Sequence, residues 1–186
     1  NLLGSKNLYV LSSQTELPHK RIKNLQQISE LKPDYVVIAS NTSSHLEQLE
    51  EIEKRLSKKI ILVEKPLFSK KSNISLKKNK YLVGYNLRFH PFIKELKQEL
   101  KGDKIYAVNV ICNSYLPHWR TNIPYNKSSS ADVKKGGGVL LDLSHELDYL
   151  SYLVGSYSHL YSKNLKVSEL KINTDDCLFL LGSIKR

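Results

Sequence analysis

Two short stretches of the sequence carry the residue types that move protons. Glu64-Lys65-Pro66 follows the apolar run 60–63, which places a lysine at the end of a predicted buried strand. Asp142, His145 and Glu146 have the spacing i, i+3 and i+4, so on a helix they share one face. A lysine can polarise an oxygen and a histidine can exchange a proton with it. The two stretches could together perform acid–base chemistry, while a solvated turn and a solvated helix face explain each one when it is taken alone.

The first part of the chain alternates between two kinds of apolar pattern. Strand composition covers 8–13, 34–40, 60–63 and 81–85, and helical spacing covers 22–32 and 43–59. This order predicts a parallel sheet covered by helices, in which ligands bind outside the carboxyl ends of the strands. Polar groups follow three predicted strand ends: Ser12-Ser13-Gln14, Ser40-Asn41-Thr42 and Glu64-Lys65-Pro66. We therefore expect a binding site along this edge.

The pattern changes after residue 86. The sequence predicts helices at 91–101 and 139–155, and strands at 104–116, 158–165, 167–173 and 177–185. Strands without regular alternation with helices are typical of an α+β unit with a mainly antiparallel sheet. The predicted fold class is therefore α/β. A partial Rossmann domain with a parallel sheet at 1–86 is followed by a partial α+β substrate and oligomerisation domain at 87–186.

Composition narrows the choice of partners. The chain has 186 residues and a formal net charge of +11, but lysine scattered along the chain supplies most of the excess. It contains no arginine cluster and no alternation of aromatic and basic residues that would stack bases, so we expect no nucleic-acid partner. No apolar run approaches the ~20 residues of a membrane helix. Cys112 and Cys177 stand singly in apolar runs, without metal-ligand spacing, so we expect buried thiols, no metal site and a cytoplasmic protein.

Five motifs in order carry a resemblance to a known family. They are DYVVIASNTSSHLEQ, VEKP, VGYNLRFHP, YLPHWR and GGGVLLDLSHELDYL, which together cover most of residues 34–155. With these motifs the chain resembles the glucose–fructose oxidoreductase / inositol dehydrogenase / MocA (Gfo/Idh/MocA) family of nicotinamide-dependent sugar oxidoreductases. The resemblance implies an NAD(P)-dependent oxidoreductase, or dehydrogenase, of carbohydrate metabolism. It would act by hydride transfer on a hydroxyl of a sugar, sugar nucleotide or polyol, and would form a homo-oligomer.

The resemblance also implies roles for the proton-moving residues. The lysine of Glu-Lys-Pro, Lys65, would lie beside the nicotinamide and the substrate hydroxyl, with an often cis bond to the proline. An acid and a histidine on the later helix, Asp142 and His145, would face the substrate, and the histidine would exchange the proton. Many family members place the histidine four residues after the aspartate and this sequence places it three after, so Glu146 is the alternative proton carrier.

Other positions are implied for the two ligands. Cofactor-binding candidates by resemblance or by strand-end position are Ser12, Ser40, Asn41, Thr42, His45 and Glu64. Simple helix capping is the alternative at 40–45. The first predicted strand ends without an acid and with Lys20 and Arg21 nearby, which favours NADP slightly over NAD.

Arg88, Trp119 and Arg120 are the substrate-binding candidates, since an aromatic plate and a guanidinium suit a sugar and its phosphate or carboxylate. Anchoring of the loop is the alternative for the tryptophan.

Two departures from the family bear on activity. The sequence has no G-x-G-x-x-G turn, whose backbone N–H groups hold the cofactor pyrophosphate. It also contains no methionine, and the family's second sheet normally continues further, so we expect this chain to be part of a longer protein. The alternative to an enzyme is a truncated, non-catalytic family member that acts as a structural or binding module.

Overall fold

Three short apolar segments form the sheet that positions the candidate site. The structure, a computed structural model, describes residues 7–14 and 16–184. Strands β3 (Tyr35–Ile38), β4 (Ile60–Val63) and β5 (Lys80–Val83) lie side by side in that order, and both pairs are parallel. Residues after Ile38, Val63 and Val83 therefore emerge at the same edge, which confirms the parallel sheet expected from the alternating pattern.

Helix α2 (His45–Arg55) covers this sheet with its apolar face. Its Leu49 and Ile52 are completely buried, as are Ile61 and Val63 of β4. Burial of a leucine or isoleucine side chain contributes about 1.5–3 kcal/mol, so these contacts supply much of the local stability. The buried cluster consists of Ile28, Ile38, Leu49, Ile52, Leu56, Ile61 and Val63.

The segment before this sheet differs from the prediction. Strand β1 (Tyr9–Val10) pairs in parallel with β2 (Lys20–Arg21), and together they form a separate two-stranded sheet. The predicted helix at 22–32 is reduced to a 3-10 turn and the short helix α1 (Ile28–Leu31), which ends at Lys32 with φ 44°. Ile22 and Leu25 nevertheless pack against the same apolar cluster as Ile28, as the helical spacing predicted.

The later part of the chain combines helices with an antiparallel pair. Helix α3 (Pro91–Glu99) is followed by α4 (Val139–Asp142) and α5 (Ser144–Val154). Strands β6 (Tyr157–Leu165) and β7 (Cys177–Ile184) then pair antiparallel, with an irregularity between His159 and Tyr161. The predicted helix at 139–155 is thus two helices, because the chain leaves helical geometry at Leu143.

Two predicted strands are absent from the described residues. The segment 104–115 has no regular secondary structure, and 167–173 contains bends instead of a strand. Alternation along 104–116 therefore did not produce the predicted strand. Cys112, expected to be buried, is exposed, and Cys177 is half-buried.

These elements confirm the α/β class with a parallel sheet followed by an antiparallel one. The domain boundary at residue 86 stays a prediction, as does the homo-oligomer. Within the described ranges, no helix has the length and apolar composition needed to cross a membrane.

Candidate active site

The Glu-Lys-Pro turn lies at the carboxyl end of the central strand. The backbone N–H of Glu64 donates to the Ile38 carbonyl at 2.8 Å, which extends the pairing of β3 and β4 by one step. The Lys65–Pro66 peptide bond is cis, as the resemblance implied. Pro66 is buried and Lys65 is half-buried, so the lysine projects from a well-anchored strand end.

A glycine-rich loop, residues 136–138, brings the start of α4 close to the loop that follows β3. Gly136 has φ 80°, and a Cβ atom there would lie 2.8 Å from the Cβ atom of Thr42. Gly138 has φ 118°, and its Cβ atom would lie 2.1 Å from Oδ1 of Asp175. Side chains at these two positions would push the loop away from its neighbours. Glycine therefore allows α4 to begin close to the loop that follows β3.

The break between α4 and α5 creates the central contact of the site. The backbone N–H of Glu146 donates to the Leu143 carbonyl at 3.2 Å, one residue short of α-helical spacing. The Asp142 carbonyl oxygen instead accepts a hydrogen bond from Nζ of Lys65. The candidate lysine of the first half thus contacts the candidate helix of the second half, 77 residues later in the chain.

The Asp142 carboxyl group lies in a polar but sheltered environment. Burial raises its pKa, and the neighbouring Ser130 hydroxyl and the charges of Lys65 and Arg120 partly oppose this rise. The carboxyl group is therefore close to both predicted cations. This arrangement brings together Lys65, Asp142 and Arg120, three residues assigned from separate motifs.

His145 combines shelter with an unused ring nitrogen. Its Nδ1 atom is buried and has no hydrogen-bond partner among the described residues. The ring packs edge-on against Tyr85, with 5.7 Å between centroids and 82° between planes. Burial lowers the pKa of His145, and the charge of Lys65 lowers it further. A neutral imidazole beside an ammonium group is the state that a general base requires.

Glu146 interacts with Cys112 and Tyr149 as well as with His145. Contact with the Glu146 carboxylate, together with burial, raises the pKa of the Cys112 thiol to about 11. The same carboxylate raises the pKa of Tyr149, although burial is the larger cause there. The charge of Lys65 thus acts on His145 and Asp142, while the Glu146 carboxylate acts on His145 in the opposite direction and also lies beside Cys112 and Tyr149.

His45 has a position that the sequence did not reveal. It is 1% exposed, and its Nδ1 atom lies 3.2 Å from the carbonyl oxygens of Pro66 and Leu67. Its Nε2 atom lies 3.2 Å from the carbonyl oxygen of Ser40. The ring joins the chain after β3 to the chain after β4, so it supports the site from behind.

The other cofactor candidates lie along the strand edge with different surroundings. Ser40 donates to Oε1 of Gln48 at 2.8 Å, Asn41 and Glu64 are exposed, and Thr42 packs against Gly136. Polar side chains thus lie along the edge at which parallel sheets of this kind bind ligands. A glycine-rich backbone cradle for its pyrophosphate is not part of the described residues.

Ser12 follows the short strand β1 of the separate sheet. Its carbonyl oxygen accepts a hydrogen bond from Nη2 of Arg21 at 2.7 Å. Leu11, its neighbour, lines a cavity of about 260 Å³ together with Ser44 and Gln48 of the first-half helix region. The end of β1 is thus near α2, although β1 does not pair with the central sheet.

Two of the three substrate candidates already have partners. The Arg88 guanidinium forms a two-pronged pair with Asp148, at 2.6 and 2.7 Å, and stacks over the Tyr152 ring. Trp119 Nε1 donates to the Ser114 hydroxyl at 2.6 Å, which ties the indole to its own loop. Arg120 is the third candidate, and its positive charge acts to lower the pKa of the Asp142 carboxyl group.

Sequence reasoning missed the contributions of Tyr85, Ser130 and Asp175. Tyr85 lies inside the VGYNLRFHP motif, which could have singled it out. No motif or spacing in the sequence pointed to Ser130 and Asp175, because only the folded chain brings their segments close to α4. Asp175 receives the backbone N–H groups of Val139 and Leu140 at 3.0 and 2.9 Å, and so holds the start of α4.

Solved structures of other proteins show the same arrangement of elements. A WlbA dehydrogenase from Bordetella pertussis, in complex with NADH and UDP-GlcNAcA, has a TM-score of 0.64 at 16% identity, over 86% of this chain and 48% of that one. The oxidoreductase yvaA from Bacillus subtilis has a TM-score of 0.63 at 20% identity, over 87% of this chain and 47% of that one. The chain therefore has the fold of the Gfo/Idh/MocA-type oxidoreductases that its motifs resemble.

A third structure extends this finding. The WlbA (WbpB) dehydrogenase from Thermus thermophilus, in complex with NAD and UDP-GlcNAcA, has a TM-score of 0.59 at 20% identity, over 84% of this chain and 56% of that one. The chain thus spans about half the length of the structures it matches. No protein-family model and no curated protein matches the sequence.

Proposed function

We propose that this chain forms the reacting centre of an NAD(P)-dependent oxidoreductase that acts on a hydroxyl of a sugar, sugar nucleotide or polyol. The observation that carries the proposal is the meeting of Lys65, Asp142 and His145 at one sheet edge. These residues come from two motifs 77 residues apart, and the fold brings them together through the Lys65–Asp142 hydrogen bond. Two similar structures contain a nicotinamide dinucleotide and UDP-GlcNAcA, which supports both ligand classes.

Each residue has a distinct role in the proposed reaction. His145, neutral at physiological pH, accepts the proton of the substrate hydroxyl in oxidation and returns it in reduction. Lys65 donates a hydrogen bond to the same oxygen and stabilises negative charge there. Asp142 is a positioning residue, because its backbone carbonyl holds Lys65. A bound nicotinamide supplies the hydride acceptor or donor.

The cofactor would lie along the carboxyl edge of the sheet. Ser40, Asn41, Thr42 and Glu64 are the groups of this chain that would line it, with His45 supporting them. Arg21, the last residue of β2, donates to the Ser12 carbonyl and supports NADP as the preferred form, since a guanidinium accommodates the 2′-phosphate. The two WlbA structures contain NADH and NAD, so they do not favour NADP.

Substrate contacts are proposed for the second half. Arg120 is the best placed, because its charge already bears on Asp142. Trp119 presents a 36% exposed indole that could cover a sugar face. Arg88 is proposed to act indirectly by fixing α5 through Asp148. We further propose a homo-oligomer in the cytoplasm, divided into domains near residue 86.

The experiment that tests the proposal is a titration with NADH and NADPH, followed through nicotinamide fluorescence. Binding of either form that weakens in Asn41→Ala supports a dinucleotide site at this edge. Turnover of UDP-GlcNAcA with the oxidised cofactor would then support the reaction. Failure of both cofactors to bind would overturn the proposal for this chain. It would favour the alternative of a non-catalytic module, which lacks the phosphate-binding turn.

A further inference from the structure

A second cavity lies at the loop that leads into α4. Its volume is about 530 Å³, within the range of small-molecule sites. It is lined by two chain segments, 126–135 and 171–173. None of the residues assigned to proton transfer, cofactor or substrate lines it, so the proposed reaction leaves it unexplained.

The walls of this cavity are joined by specific hydrogen bonds. The backbone N–H of Asn173 donates to the Ala131 carbonyl at 3.2 Å, and Oδ1 of Asn173 accepts the N–H of Val133 at 2.8 Å. The N–H of Lys171 donates to the hydroxyl of Tyr125 at 3.3 Å. The two segments are thus held in one arrangement before any ligand binds, which reduces the entropy cost of binding.

Four lysines surround this cavity: Lys127, Lys134, Lys135 and Lys171. The acidic residue in the lining is Asp132, whose Oδ2 atom lies 3.9 Å from Nζ of Lys135. Among the described residues, the other three ammonium groups have no carboxylate within 4.0 Å. Several like charges around one cavity repel each other, and an anion placed between them relieves that repulsion.

The remaining lining groups limit the chemistry of the ligand. The backbone N–H groups of 131–135 are largely used, since Asp132, Lys135 and Lys134 donate within the loop at 3.0 to 3.1 Å. Binding must therefore rely on the lysine side chains. Ammonium groups act as point charges on phosphate oxygens, and several of them match an anion that carries more than one charge.

We propose that this cavity binds the diphosphate group of a small molecule. The diphosphate could belong to a nucleotide or be free pyrophosphate, and the chemistry of recognition is the same for both. The proposal does not depend on the oxidoreductase activity, because none of the residues that line the cavity is assigned to proton transfer, cofactor or substrate.

The test measures binding of pyrophosphate and of UDP by isothermal titration calorimetry at low ionic strength. The cavity variant is Lys134→Ala/Lys171→Ala, which keeps the backbone bonds of both residues. The matched control is Lys101→Ala/Lys163→Ala, which removes the same charge from exposed positions outside the cavity. Circular dichroism checks that all three proteins fold.

We expect pyrophosphate to bind the wild-type chain and the control equally, and the cavity variant about tenfold or more weakly, since two charge-assisted contacts to the phosphate oxygens are lost. Tighter binding of UDP than of pyrophosphate, lost in the same variant, supports a nucleotide diphosphate. Equal binding of both supports recognition of the phosphates alone.

Three results would overturn the proposal. They are failure of pyrophosphate to bind the wild type, equal weakening in cavity variant and control, and no weakening in the cavity variant. Preferential binding of a single-stranded oligonucleotide over UDP, dependent on Lys134 and Lys171, would also overturn it. In that case the lysines belong to a nucleic-acid surface.

Discussion

Nζ of Lys65 donates a hydrogen bond to the backbone carbonyl oxygen of Asp142, and this bond joins the end of β4 to the break between α4 and α5. A continuous helix would have used that carbonyl internally, so the break at Leu143 frees it for the lysine. The contact fixes the ammonium group close to His145, where it also lowers the pKa of the imidazole. The same hydrogen bond thus positions the Lys65 ammonium group and keeps its charge where it lowers the pKa of His145.

Replacement of the lysine by an uncharged side chain of similar length should stop the reaction without unfolding the protein. In Lys65→Met we expect turnover to fall by about 10²-fold or more, because the substrate oxygen loses its charged donor. Steady-state kinetics with NADH or NADPH would measure the loss. The matched control Lys70→Met, at an exposed loop position, should retain activity. Near-normal turnover in Lys65→Met would remove the lysine from the mechanism.

His145 and Glu146 can be separated by a pair of amide substitutions. We expect His145→Gln to reduce turnover by about 10²–10⁴-fold, since general acid–base catalysis contributes that much. Glu146→Gln should have a small effect, because its carboxylate lies beside Cys112 and Tyr149. The same kinetic assay applied to both variants decides the question, and the opposite ranking would identify Glu146 as the proton carrier.

The protonation state of His145 should depend on the lysine beside it. Burial and the Lys65 charge both lower the pKa of His145 below its ordinary value of 6.5. Proton NMR of the imidazole as a function of pH should therefore show a midpoint below 6.5 in the wild type. In Lys65→Met the midpoint should move upward, because one of the two causes is gone. An unchanged midpoint in that variant would mean that the two groups do not interact.

The low pKa of His145 also has a consequence for stability. The unfolded chain binds this proton more readily than the folded chain, so His145 makes the protein less stable as pH falls through and below about 6.5. His145→Gln should remove that part of the acid sensitivity. Urea unfolding at neutral pH and near pH 5 would measure the difference between the two proteins.

Glu53 anchors the lysine-rich segment ahead of β5. Its Oε1 atom accepts the backbone N–H groups of Lys77 and Lys78 at 2.7 Å each, and its Oε2 atom accepts from Asn79 and the Tyr81 hydroxyl. Burial and this bond raise the pKa of Tyr81 to about 12. We expect Glu53→Ala to lower the free energy of unfolding by about 2 kcal/mol, because several donors lose a charged acceptor.

Urea denaturation would measure that loss. The exposed Glu50 lies on the same helix, and Glu50→Ala should change the free energy of unfolding by less than about 0.5 kcal/mol. Equal effects of the two substitutions would mean that helix propensity, not the hydrogen bonds, explains the change.

Asp176 should make the protein sensitive to strong acid. Burial alone would raise its pKa, but hydrogen bonds from the Ser168 hydroxyl, the Val167 N–H group and Lys166 lower it to about 2. Its contribution to stability is present above the unfolded pKa of about 3.9 and is lost as pH falls through about 2. The shift corresponds to about 2 kcal/mol, on a side chain that is 13% exposed.

We expect Asp176→Asn to remove this acid-dependent component while Asp103→Asn, at an exposed position, preserves it. Thermal unfolding between about pH 5 and pH 2 would compare the three proteins. Parallel curves for the wild type and Asp176→Asn would show that the carboxylate gains nothing from its donors.

The sequence predicted the parallel sheet well because its strands are buried runs with polar ends. Ile61 and Val63 lie in the core, and Lys65 follows at the edge, as that pattern requires. It predicted the break at Leu143 poorly, because the apolar spacing continues unchanged across it. The expected face shared by Asp142, His145 and Glu146 assumed one helix, whereas the chain turns between the first residue and the other two.

Contacts between segments that lie far apart in the sequence could not be predicted from local patterns. The sequence placed His45 near the start of a predicted helix, and no neighbouring residue indicated that its ring would contact Pro66 and Leu67. Arg88 was expected at the substrate, yet its pairing with Asp148 depends on how α5 packs against the 3-10 turn at Asn86–Phe89. Periodicity describes one element at a time, and these contacts depend on two.

The ring of His45 has a mechanical consequence. It lies between the carbonyl of Ser40 and the carbonyls of Pro66 and Leu67, so the turn after β3 and the turn after β4 pack against the same buried side chain. A substitution of His45 should therefore disturb both turns at once, the one that carries Asn41 and Thr42 and the one that carries Lys65.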